Sequence, residues 1–127
     1  MNFEKVVFGF FIVLALTLNF GFFIGDIDNP DHHHAMELGA ALAVSLIATI
    51  MKFGDRSQIG AVLLATSLVA DLQLFIASFI WAYAAYASES GVTSEIMSSV
   101  VSVSGGALLA NLVSVTLLVA ETITIRR

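Results

Sequence analysis

The sequence predicts an all-α, polytopic membrane protein, one bundle of four transmembrane helices with the N and C termini both cytoplasmic. Three observations set that class. Hydrophobic residues make up 58% of the 127 and charged residues 12%, far too little polar surface to cover a soluble domain of this size. The apolar residues fall into four runs with the charges gathered between them, and about 20 helical residues are enough to cross the hydrocarbon core. The five cationic residues, Lys5, Lys52, Arg56, Arg126 and Arg127, all fall on one side once the chain crosses four times, which the positive-inside rule makes cytoplasmic.

Each element follows from its own stretch. The first span is "VVFGFFIVLALTLNFGFFIG", about 6–25. Its apolar length suits a full span better than a signal peptide, and no small-x-small cleavage site precedes Asp26. The second covers about 30–52, because Asn29 suits an N-cap and Pro30 a first helical position. The third covers about 58–87 and the fourth about 96–125. Both exceed what a span requires, so tilt or protrusion is expected. The connections "DIDNPDHHH", "KFGDRSQ" and "SESGVTSE" are short, which favours antiparallel neighbours and a single domain over 1–127. Trp81, Tyr83 and Tyr86 fall near the outer end of the third span, where an interfacial aromatic belt belongs.

Composition also removes function classes. There is no cysteine, hence no disulfide framework, thiolate metal site or catalytic thiol. A net charge of −5 with no basic stripe excludes a nucleic-acid partner. No HExxH, GxSxG or comparable motif marks an enzyme.

One aspartate stands inside an apolar run, Asp71 in "LLATSLVADLQLFIASF". Counted from the cytoplasmic anchors Lys5, Arg56 and Arg126, three polar residues, Asn19, Asp71 and Asn111, lie at roughly the same depth of 21–23 Å. An aspartate at the centre of a span costs about 2.5–3.5 kcal/mol on insertion scales. No Lys or Arg is near in sequence, which leaves three readings open. Asp71 is neutral and donates its proton to Asn19, Asn111 or a backbone carbonyl; it is ionised and compensated by a bound cation; or it borders a water-filled path. A proton or cation role outweighs simple packing glue, because intramembrane acids are functional by default. Ser67 and Ser78 share its helical face, and Glu121 extends the expected ion pathway toward the inner side.

Two further patterns carry expectations. Ser98, Ser102, Gly106, Ala110 and Ser114 form a small-xxx-small row for helix packing or homo-oligomer association. The outer loop carries Asp26, Asp28, Asp31, His33, His34 and Glu37, a candidate divalent-cation site built from carboxylates and imidazoles. The alternatives there are a solvated acidic loop and a histidine proton sensor. An EF-hand is excluded, since Pro30 and Asp31 occupy positions that motif gives to a ligand and a glycine.

The function expected from these features is a small oligomeric cation channel or cation/proton-coupled transporter. Its site is a midplane acid beneath an acidic outer mouth, its partners inorganic cations or protons, the lipid bilayer and further copies of itself. Four spans without a soluble domain place it in a plasma membrane of the bacterial or archaeal inner type. A non-catalytic accessory subunit of a larger membrane complex is the second class, and a metal-dependent membrane enzyme a distant third.

Overall fold

The computed structural model describes residues 3–26, 28–54 and 57–126. Within them the chain is four long helices, α1 (Phe3–Phe23), α2 (Ala35–Lys52), α3 (Gln58–Tyr86) and α4 (Ser94–Arg126), with a single 3-10 turn at Pro30–His32. All four helices are long and apolar enough to cross a membrane. Arg56 and Arg127, two of the cations used to orient the chain, lie outside the described residues. The two ends of the bundle are called here the basic end, where Lys5 and Lys52 sit, and the acidic end, which carries the first and third loops.

One boundary differs from expectation. Asn29 does act as an N-cap, its Oδ1 accepting from the Asp31 N–H at 2.9 Å, but the turn it caps is the separate one at Pro30–His32. The chain then runs extended through His33 and His34, and α2 begins at Ala35. His33 and Glu37 therefore do not share a helical face, and Asp31 sits in the first turn of the short element rather than of α2.

Each helix packs against its neighbours in sequence, and α1 closes the ring by packing on α4. The interior is filled by two apolar clusters. Toward the acidic end lie Phe22, Leu38, Leu74, Met97, Val100 and Val101; toward the basic end lie Phe8, Ile12, Ala48 and Leu63. The outward faces are no less apolar, with Phe10, Ile50, Leu72, Phe75 and Leu109 all exposed. A helix apolar all round belongs in lipid.

Lipid tails are as apolar as leucine, so the hydrophobic effect does not drive these helices together. Close packing and interhelical polar contacts do that work. The α1–α4 seam is closed by the ion pair Lys5 Nζ–Glu121 Oε1 at 3.2 Å, and the α1–α2 seam by Lys52 Nζ lying 4.3 Å from the centre of the Phe8 ring. Between α3 and α4 the hydroxyls of Thr66 and Ser114 meet at 2.6 Å.

Adjacent glycines on α4 serve two different neighbours. A Cβ at Gly105 would sit 2.9 Å from Phe23 Cε1 of α1, and one at Gly106 would collide with the Gln73 amide of α3. Of the small-residue row, Gly106 and Ser114 thus pack inside the chain against α3, while Ser102 is exposed. Val in place of either Gly105 or Gly106 should overpack its seam and lower stability by about 1–3 kcal/mol. Unfolding in mixed micelles with increasing SDS measures this. Gly39→Ala, where a Cβ meets nothing within 4 Å, should show no such loss.

Candidate functional site

Ser45 and Thr49 stand one turn apart on α2, so their hydroxyls leave the helix on one face, and both are buried. Across the α2–α3 seam they meet Asp71, which is only 8% exposed. The Ser45 hydroxyl donates to Asp71 Oδ1 over 2.6 Å. Thr49 Oγ1 lies between two oxygens, Asp71 Oδ2 at 2.5 Å and the Ser45 carbonyl at 2.9 Å.

A threonine hydroxyl has one proton, so it donates to one of those oxygens at a time. If the carboxylate is ionised, Thr49 donates to Oδ2. If Oδ2 carries a proton, the acid donates to Thr49 Oγ1, and the hydroxyl turns to the Ser45 carbonyl. That carbonyl keeps its helical N–H partner in either case. Rotation of one hydroxyl thus leaves the carboxyl hydrogen-bonded whether it is loaded or empty. The same oxygens (carboxylate, two hydroxyls and one carbonyl) form a hard donor set with a single formal negative charge. That charge balances a monovalent cation rather than a divalent one.

The carboxyl opens toward the side of the bundle. Asp71 and Thr49 border a groove on the lipid-facing side of the seam, walled by Leu46, Ile50, Phe53, Leu68, Leu72 and Phe75, all of them substantially exposed. Phe53 caps the basic end of α2, and Thr49 lies one turn from Lys52, about 5 Å along the helix. Measured along α2, the site is therefore close to the basic end, although Asp71 itself lies near the middle of α3. The helices are of unequal length, and a count along one does not give the level of another.

The partners expected for Asp71 are elsewhere. No ion pair to Asp71 occurs among the described residues. Asn19 spends its amide on α4: its nitrogen donates to the Ser104 carbonyl at 3.2 Å and its oxygen accepts from Leu108 N–H at 3.0 Å, an orientation assigned from those two contacts. Asn111 is fully buried, and its Oδ1 has no hydrogen-bond partner; the same holds for the Ser67 and Ser78 hydroxyls. The polar row on α3 is thus not a hydrogen-bonded chain. Glu121 is tied to Lys5. Gln73, passed over in the sequence, places its amide over Gly106 with Oε1 buried and without a partner.

The acidic loop is held together through its backbone. Among the described residues no group of three or more His, Asp or Glu gathers at metal-binding distance. Asp26, Asp28, Asp31 and His34 are exposed. A Glu37 carboxylate oxygen lies 2.5 Å from where a Cβ would be on Gly21 of α1, and His33 is buried with both ring nitrogens on backbone carbonyls. A histidine so engaged offers no lone pair to a metal.

Ser45 and Thr49 carried a signal: hydroxyls four residues apart on an apolar helix can either bond back to their own backbone or reach across a seam. Which of these they do depends on helix rotation.

No curated protein and no solved structure matches the chain. Residues 32–122 match the model of a family of unknown function, DUF6394. The matched stretch holds α2, α3 and nearly all of α4, and with them Ser45, Thr49 and Asp71, while Lys5 and Asn19 lie outside it. That match spans well over half of the chain, which therefore belongs to the DUF6394 family.

Proposed function

We propose that this protein is a membrane transporter that loads and unloads a monovalent cation, the proton first among them, at Asp71. The observation that carries the reading is the pair of α2 hydroxyls, one on each oxygen of a buried carboxyl. A purely structural acid needs one satisfied state. This arrangement supplies two, interconverted by a hydroxyl rotation.

The packed interior favours a coupled carrier over an open pore through a single bundle. Phe22 and Leu74 fill it toward the acidic end, and Phe8, Ile12 and Leu63 toward the basic end, each almost wholly buried. A cation therefore reaches Asp71 along the α2–α3 seam, and passage to the other side requires the two helices to move against each other. Glu121, held by Lys5, is not a second stop on the route.

Four outcomes test this. Purified protein in liposomes should dissipate a pH or sodium gradient, and Asp71→Asn should abolish that flux while the protein still folds; equal flux in mutant and wild type would overturn Asp71 as the site, and no flux through the wild type would overturn transport and leave the accessory-subunit role. Glu121→Gln should change flux little. Thr49→Val removes a hydrogen bond to a charged group, worth about 1.5–3 kcal/mol, and should shift the pH midpoint for Asp71 modification by a lipid-soluble carbodiimide, with apparent proton affinity changing ~10-fold or more. A water-soluble carbodiimide should react far more slowly with Asp71, since the groove beside it is walled by leucine, isoleucine and phenylalanine.

A further inference from the structure

The first loop contains a second group that the transport site does not use. His33 is 3% exposed. Its Nδ1 lies 2.5 Å from the Phe22 carbonyl and its Nε2 2.7 Å from the Asp26 carbonyl. A backbone carbonyl can only accept. Each contact therefore requires a proton on the ring nitrogen, and both together require the doubly protonated imidazolium. A neutral ring satisfies one contact and sets a lone pair against the oxygen of the other.

From these contacts we infer that His33 is a proton-binding site whose charged form clamps the first loop to the end of α1. The surroundings suit a cation. Phe22 lies in the last turn of α1, where carbonyls lack helical partners and the helix dipole is negative. Gly25, with φ of 111°, provides the left-handed turn that brings the Asp26 carbonyl back toward the ring. Asp26 also accepts from the Asn29 N–H at 3.2 Å, so His33 joins a loop already folded on itself. The ring faces Phe22, centroid to centroid 5.5 Å.

The titratable groups around it are acidic or histidine. Glu37 of α2 packs over Gly21, one residue before Phe22. Asp26, Asp28, Asp31 and His34 are exposed on the loop itself, and Glu89, just after the end of α3, and Glu95, in the first turn of α4, are exposed as well. No Lys or Arg of the sequence lies between Lys5 and Lys52. The proton on His33 is thus held by two carbonyls within an acidic setting. Two residues later α2 begins, the helix that carries Ser45 and Thr49. The sign follows from the hydrogen-bond count: the clamp is closed while the ring is doubly protonated and opens as pH rises and one N–H is lost.

Nitrogen-15 spectra of imidazole-labelled histidine, taken on the full chain in lipid nanodiscs, test this. His33→Gln identifies the His33 signals by their loss, and His34→Gln should leave them in place. With the loop closed, the His33 ring should show protons on both nitrogens. Where raising the pH removes one of them, amide exchange over residues 28–34 should rise ~10-fold or more, corrected for the intrinsic pH dependence. A bare ring nitrogen while the loop stays protected, or loop exchange indifferent to loss of the ring proton, overturns the inference. The wild-type spectra decide the matter even if the glutamine variant fails to fold.

Discussion

A carboxyl buried between two helices in an apolar bundle must have its oxygens satisfied, and here they are satisfied by hydroxyls rather than by a base. Ser45 and Thr49 reach Asp71 from α2, which fixes the register of that helix against α3. The consequence is mechanical as well as chemical. Because an unpartnered charge in lipid costs several kcal/mol, the proposed transport function ties sliding or rotating of α2 past α3 to what Asp71 holds at that moment. In that proposal a full site is close to neutral and tolerates lipid at its open side, and an empty, charged one depends on both hydroxyls.

The remaining seams are stitched in different ways, and the differences set which can move. The α1–α4 seam has the Asn19 amide across the Ser104 carbonyl and Leu108 N–H, the ion pair Lys5–Glu121, and Phe23 seated on Gly105. The α3–α4 seam has Thr66–Ser114 and Gln73 on Gly106. Interhelical hydrogen bonds in membranes average only about 0.6 kcal/mol each, so it is the number of contacts and the close glycine approaches that hold these pairs together. On the α2 side, both seams end in titratable or ionic groups: Asp71 toward α3, and Lys52 over Phe8 toward α1.

Four spans could be read from the chain because apolar runs bounded by charge have few other solutions, and the boundaries of α3 and α4 fall within two residues of expectation. The start of α2 was misplaced for a local reason. Asn29-Pro30 is a sound helix-start signal, but it opens a three-residue turn, and the buried His33 pulls the chain into an extended stretch before Ala35. Asp71 stood out as a candidate because an acid in lipid is expensive. Its partners did not, since Asn19 and Asn111 are more conspicuous polar residues than Ser45 and Thr49. Depth counted from separate anchors placed both asparagines level with the acid, but a shared level does not turn a side chain toward it: Asn19 spends its amide on α4, and Asn111 Oδ1 has no hydrogen-bond partner. The sequence row from Ser98 to Ser114 likewise did not reveal that its glycine is taken up by Gln73 within the same chain.

Infrared difference spectroscopy of the protein in lipid, comparing wild type with Asp71→Asn, observes the central group directly through the carbonyl stretch of a protonated carboxyl. The account requires an Asp71 band, absent in the mutant, whose intensity rises and falls reversibly with external pH or is displaced by a monovalent cation. A band that stays constant across pH and salt would mean a permanently sealed, neutral acid, and would contradict the claim that this carboxyl exchanges what it binds.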